Sequence, residues 1–207
     1  SATTLDTLTE LKISFREDIH PGYSFDRVRV LHRIDSSYQV SAWSADSTVR
    51  IERRVDELRG FTEFIYDRHS DTLRLRIQRT DSTQRSFTLH GIELGTGDPG
   101  VVLHPLGVNG ASTSSWLRCQ RFSEELALLH PDLVILSIGI NDAHDPDFSG
   151  ARYEANYREL IRRIRIANPK AAILLTTNTD SYVKRRFVNK NAGAVRESIQ
   201  LLQKVFR

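Results

Sequence analysis

An all-β sandwich followed by an α/β unit on a parallel sheet is the fold that this sequence predicts, and three observations carry the prediction. Between Phe25 and Ile92 apolar and polar residues alternate in short runs separated by turn-rich breaks, which is the period-2 signature of strands. Near residue 100 the pattern changes to apolar runs that alternate with amphipathic stretches of helical period. Within that second half Leu133, Val134, Ile135, Leu136 and Ile138 form a nearly unbroken apolar run, which suits a strand covered on both faces in a parallel sheet.

Taken in order, the strands of the first half are expected at Phe25 to Arg33, Tyr38 to Trp43, Val49 to Val55, Phe61 to Tyr66, Leu73 to Ile77 and Phe87 to Ile92, with breaks at Ser44 to Ser47 and Arg79 to Ser82. In TLRLRIQR the apolar Leu73, Leu75 and Ile77 are expected to face a core while Arg74, Arg76 and Arg79 point mainly outward. Trp43, Phe61, Phe64, Tyr66 and Phe87 read as core packing. Strands at this spacing favour a sandwich, assigned to residues 1–98. Gly95 to Gly100 (GTGDPG) matches GxGxxG, but it leads into the apolar VVL instead of a helix, so it reads as the seam between domains and not as a dinucleotide loop.

Residues 99–207 then read as strand Val101 to Leu106, one or two helices over Ser112 to Leu129, strand Leu133 to Ile138, helix Arg152 to Ala167, strand Ala172 to Thr177 and helix Asn191 to Phe206. Tyr153, Tyr157, Leu160, Ile161 and Ile164 line one face of the middle helix, and Pro169 follows its end.

Composition narrows the function classes. A chain of 207 residues with 39% hydrophobic content can build one large core or two modest ones, which excludes a disordered protein. No apolar run approaches the roughly 20 residues that cross a bilayer. The N-terminal SATTLDTLTELKISF lacks the charged and apolar regions of a signal peptide. Basic and acidic residues number 29 and 26, a mixed surface unlike the one-signed stripe of a nucleic-acid binder. The runs Arg162, Arg163, Arg165 and Lys184, Arg185, Arg186 read as solvated faces. Cys119 is the single cysteine, with no partner for a disulfide, zinc or redox pair, and it identifies no compartment. The sequence holds no methionine, not even an initiator, so it is expected to be a subset of a longer chain, with spacings read as lower limits.

Two loops stand out at expected strand ends, where open α/β sheets bind ligands: Gly107 to Ser112 (GVNGAS) and Gly139 to Asp142 (GIND). Glycine lets backbone N–H groups approach a ligand, and asparagine adds a side-chain donor. Donors fixed near a developing alkoxide contribute roughly 3 to 4 kcal/mol each to a transition state. The same residues also suit tight turns in which asparagine caps a helix, and spacing alone leaves both readings open.

The stretch PDLVILSIGIND resembles the third sequence block of the SGNH, or GDSL, hydrolases, with Gly139, Asn141 and Asp142 on its GxND pattern, and Gly110 in GVNGAST matches the glycine of the second block. LGVNGAST, PDLVILSIGIND and ELIRRIRIANPKAAILLTTNTDSY together are similar to a subgroup that includes peptidoglycan and other carbohydrate O-acetylesterases. In that subgroup a β-sandwich like a carbohydrate-binding module lies between the first and second blocks. The resemblance covers Val101 to Arg207 well and the sandwich by type and position. It implies an incomplete flavodoxin-like three-layer hydrolase domain preceded by a jelly-roll-like sandwich. It also implies a serine esterase for O-acetyl or similar esters, without cofactor or metal, in which the Gly110 N–H and the Asn141 amide hold the oxyanion. The implied partner is an O-acetylated carbohydrate or peptidoglycan, with no nucleic acid and no membrane span, and the implied location is extracytoplasmic: periplasmic, secreted or surface. Acetyl transfer to a sugar by the same machinery, and glycan binding by a domain that has lost its catalytic residues, are the alternatives.

The chain also departs from the family pattern. Neither the GDS block of the nucleophilic serine nor the DxxH block of the base is present. Ser112 and His144 are the nearest substitutes, and they read as a helix cap and an exposed loop residue. In the flavodoxin-like order 2-1-3-4-5 the first strand lies between the second and third. With Val101 to Leu106 second and Leu133 to Ile138 third, a central strand is expected upstream of Ser1, ending in the serine between Gly110 and Asn141. A sandwich inserted after that strand is expected to contact the part of a polymer that does not react.

Overall fold

The computed structural model describes residues 2–15, 22–34, 36–83, 85–184 and 186–205, so Arg185 and Phe206 lie outside the described residues. The chain divides into two units, Ser1–Val102 and Leu103–Arg207.

In the first unit the alternating runs become strands β1 (Ala2–Thr4), β2 (Leu8–Ser14), β3 (Phe25–His32), β4 (Tyr38–Ala42), β5 (Ile51–Asp56), β6 (Phe61–Ser70), β7 (Thr72–Arg79) and β8 (Phe87–Gly95). They form a five-stranded sheet, β1-β8-β3-β6-β5, and a three-stranded sheet, β2-β7-β4. Every pairing is antiparallel. Phe25, Val28, Val30, Phe64, Tyr66 and Phe87 from the larger sheet share one core with Tyr38, Val40, Leu73, Leu75 and Ile77 from the smaller, so the two sheets face each other as a sandwich. Leu73, Leu75 and Ile77 are buried as the alternation requires. Arg76 is exposed, with its guanidinium 5.4 Å from the ring centre of Trp43. On the opposite face of β3, Arg29 reaches Glu63 at 2.9 Å and Glu93 at 3.3 Å across both neighbouring strands. The sequence reading missed β1 and β2. β2 carries its side chains largely exposed, so no apolar alternation marks it.

The second unit contains α1 (Thr113–Leu117), α2 (Phe122–Leu129), β9 (Leu133–Leu136), α3 (Ile140–Ala143), α4 (Gly150–Ala167), β10 (Ala172–Leu175), the short hairpin β11 (Tyr182–Val183) and β12 (Phe187–Val188), and α5 (Ala192–Val205). β9 and β10 pair in parallel from Leu133↔Ala172 to Leu136↔Leu175. Ser149 caps α4 by accepting from the Arg152 N–H, and the buried stripe Tyr153, Tyr157, Leu160, Ile161 and Ile164 joins a core with Leu126 of α2 and Val195, Ile199 and Leu202 of α5. The Asn168 amide at the other end of α4 donates to the Pro131 carbonyl (2.9 Å), fixing the start of β9.

Two expectations are corrected and a third is refined. Val101 to Leu106 forms no strand, and Val101, Val102, Leu103 and Leu106 are exposed. No described strand pairs with it, and a segment without a hydrogen-bonded neighbour is not a strand. The apolar run at β9 is covered on one face only. Val134, Leu136, Ile173 and Leu175 pack against the helices, whereas Leu133 and Ile135 are each 51% exposed and Leu174 is 49% exposed. The arginines of α4 form a solvated face at Arg162 and Arg165, which are exposed, while Arg163 is half-buried. Arg162 and Arg163 both pair with Glu159 (2.7 and 2.8 Å), and Arg163 also donates to the Leu117 carbonyl at 2.9 Å. Among the described residues no helix is long and apolar enough to cross a membrane.

Candidate oxyanion site

The site begins where β9 stops. The Ile138 carbonyl accepts hydrogen bonds from two phenols of α4, Tyr153 at 2.7 Å and Tyr157 at 2.8 Å. Burial pushes the pKa of both phenols up, so both remain protonated donors. Gly139 then turns the chain at φ 149°, in a region that side chains disfavour. A Cβ at residue 139 would lie 2.6 Å from the Tyr153 hydroxyl and 3.0 Å from Val195 Cγ1. The turn opens the single-turn α3, which carries Asn141 and Asp142 as its second and third residues. The far end of α3 is held by the Asn189 and Asn191 amides, each donating to the Ala143 carbonyl at 2.9 Å.

The second loop approaches from the start of α1. Gly110 adopts φ 78° with open space where a Cβ would be. Ala111 follows, and the Asn141 amide donates to its carbonyl at 2.8 Å. An amide carries two N–H groups, so this bond leaves the second for a ligand. Thr113, fully buried, donates its backbone N–H to both oxygens of Asp142 (3.1 and 3.0 Å) and its hydroxyl to Oδ1. Asn156 of α4 completes the cluster, its amide donating to Thr113 Oγ1 at 2.9 Å.

Gly110 and Asn141 thus come from different loops to one cavity of about 370 Å³, which Asp142, Tyr153 and Asn156 also line. Ser112 and His144 line it as well, but the Ser112 hydroxyl bonds to Ser114 (2.9 Å) and Ser115 (3.1 Å) at the head of α1. No hydrogen bond joins Ser112 to His144 among the described residues, and His144 is exposed at the end of α3, so the pair lacks the contact by which a base activates a serine. A larger cavity of about 640 Å³ lies in the sandwich, lined by Leu5, Thr80, Asp81 and flanking arginines. It has neither donor loop. Among the described residues no cluster of three or more His, Cys, Asp or Glu side chains could hold a metal, and Cys119 is exposed.

Sequence reasoning passed over Asn156 and treated Asp142 only as a flank of the motif. The signal for Asn156 was a polar residue three positions from Tyr153, on the buried side of α4.

Comparison with known proteins follows the same stretch. A model of the GDSL-like Lipase/Acylhydrolase family matches residues 76–206, more than half of the chain, and the match includes both donor loops. A solved structure described as "Peptidoglycan O-acetylesterase in action, 5 min" is similar in fold at a TM-score of 0.52 and 15% identity, over 95% of this chain. This chain spans 61% of the length of that one. No curated protein matches. The motif residues, the loops that carry them and the extent of the family match lead to one conclusion: the chain belongs to the GDSL-like lipase/acylhydrolase family, within the SGNH hydrolases.

Proposed function

We propose that the complete protein carrying this chain is a serine esterase that removes O-acetyl or similar acyl groups from carbohydrate or peptidoglycan. The observation that carries this reading is the arrival of Gly110 and Asn141, from separate loops, at one cavity. A serine outside this chain attacks the acyl carbon and the carbonyl oxygen becomes an oxyanion. The Gly110 N–H and the second Asn141 N–H donate to that oxygen, while a histidine, also outside the chain, takes the serine proton and returns it to the leaving sugar oxygen. Water then releases the acyl group by the same route in reverse. The fold similarity to a peptidoglycan O-acetylesterase is what supports this substrate class, and the proposal extends to an extracytoplasmic location, where such a polymer lies.

The finer architecture belongs to the same proposal. The hydrolase domain (99–207) is a flavodoxin-like three-layer domain whose central strand joins at the edge of β9 opposite β10, an edge with no partner among the described residues. The module before it (1–98) is a jelly-roll-like sandwich of the carbohydrate-binding type. Eight strands in two sheets among its described residues, with the chain crossing between sheets at most connections, support that reading.

Replacing Asn141 by Ala in the complete protein is expected to lower kcat roughly a hundredfold to a thousandfold with little change in KM, because the amide is aimed at charge that exists mainly in the transition state. Steady-state kinetics on a small acetyl ester and on an O-acetylated glycan measure this, and an unchanged kcat with the fold intact removes Asn141 from the oxyanion site.

A further inference from the structure

We propose that Asp142 is a positioning residue that sets the oxyanion geometry through Asn141, by clamping the Asn141 loop to the start of α1. This inference rests on the oxyanion reading of Asn141 and concerns what holds that amide in place.

Three observations converge on it. The Asp142 carboxylate accepts both polar hydrogens of Thr113, the backbone N–H and the hydroxyl. Thr113 is the first residue of α1, where a helix leaves its N–H groups unpaired, and it is wholly buried, so its position is determined by what it bonds. Asn156 donates to the same hydroxyl, and an amide nitrogen can only donate; the Thr113 oxygen therefore accepts from Asn156 and must send its own proton to Asp142. The direction of every bond in the chain Asn156, Thr113, Asp142 is thereby fixed. Next to it in both loops is the second tie, from the Asn141 amide to the Ala111 carbonyl. Adjacent residues 141 and 142 of one loop thus grip residues 111 and 113 of the other. With one Asn141 N–H pinned on Ala111, the plane of the amide and the direction of the remaining N–H are set by how far apart the clamp holds the loops.

The requirement for a carboxylate is chemical. The partners at Thr113 are both donors, and the backbone N–H lies against both carboxylate oxygens, so the Oδ2 position as well as the Oδ1 position has to be an acceptor. Asparagine there has the same shape but turns an NH₂ toward one of those donors and opens the clamp. A displacement on the order of 1 Å at a catalytic group can cost about a hundredfold in rate.

The test is a double-mutant cycle in the complete enzyme, with kcat expressed per active site counted by acyl-enzyme burst, so that misfolded protein does not contribute. Asp142→Asn alone is expected to lower kcat roughly tenfold to a hundredfold with KM nearly unchanged, and to lower it no more than about threefold when Asn141 is already Ala, since nothing is left to position. Thr113→Val, which keeps the N–H but deletes the hydroxyl, is expected to follow Asp142→Asn in both backgrounds and to decide the question should that variant not fold. Thr113→Ser, which restores the hydroxyl, is expected to return kcat to within about threefold of the parent. Equal losses with and without Asn141 would overturn the proposal, as would a full kcat in Asp142→Asn while Asn141→Ala is impaired. An active parent in which Asn141→Ala has no effect instead defeats the oxyanion reading on which the proposal stands.

Discussion

At residue 139 two independent constraints meet. The backbone sits at φ 149°, and the space a Cβ would need is taken by the Tyr153 hydroxyl at 2.6 Å. That hydroxyl cannot easily withdraw, because it is one of two donors to the Ile138 carbonyl. Gly139→Ala is therefore expected to destabilise the protein by roughly 2 to 4 kcal/mol, combining backbone strain with overpacking. Adding Tyr153→Phe is expected to recover part of the loss by removing the clashing oxygen. Denaturant unfolding of the parent and both variants measures it, and a Gly139→Ala protein as stable as the parent would show that the turn does not need glycine.

Among the elements, α4 supplies most of the site's support: Tyr153 and Tyr157 grip the end of β9, Asn156 holds Thr113, and Arg163 binds the Leu117 carbonyl at the end of α1. Its outer face is organised around Glu159, which hydrogen bonds to Arg162 and Arg163 hold down to a pKa of about 2 from the usual 4.5. The folded value lies below the unfolded one, so the stabilisation is present above about pH 4.5 and is lost as the pH falls toward about 2. Because the Glu159 side chain is 32% exposed, solvent screens the effect and it is modest. Glu159→Gln is expected to be slightly less stable than the parent at pH 7 and to match it near pH 2; a gap that persists at pH 2 points to packing of the side chain instead of its charge.

The family assignment and the presence of two units combine at the scale of the whole molecule. In the proposed enzyme the sandwich is expected to supply binding energy from parts of a polymer that do not react, energy of the kind that positions a scissile ester. The complete enzyme is therefore expected to show a higher kcat/KM on an O-acetylated polysaccharide or peptidoglycan than on a small acetyl ester. Surface substitutions in the sandwich are expected to reduce the polymer rate selectively. Equal losses on both substrates, with the fold intact, would assign the sandwich a role other than substrate positioning.

Much of this protein was legible in contiguous residues. The alternation of TLRLRIQR places Leu73, Leu75 and Ile77 in the sandwich core, and the apolar stripe from Tyr153 to Ile164 marks the buried side of α4, because period and burial are local properties of a strand or helix. The motifs around Gly110 and Asn141 were legible for the same reason: each is spelled within a few residues. What the tertiary structure alone decided involves partners far apart in the chain. Val101 to Leu106 has the composition of a buried strand but no strand partner among the described residues, and the β9 run is apolar on both faces yet covered on one. Asp142 stands 29 positions from Thr113 and Asn156 stands 43 from it, so no spacing rule joins them. Hydrogen bonds between buried groups form wherever the fold brings a donor to an acceptor, and only the folded chain determines which donor meets which carboxylate.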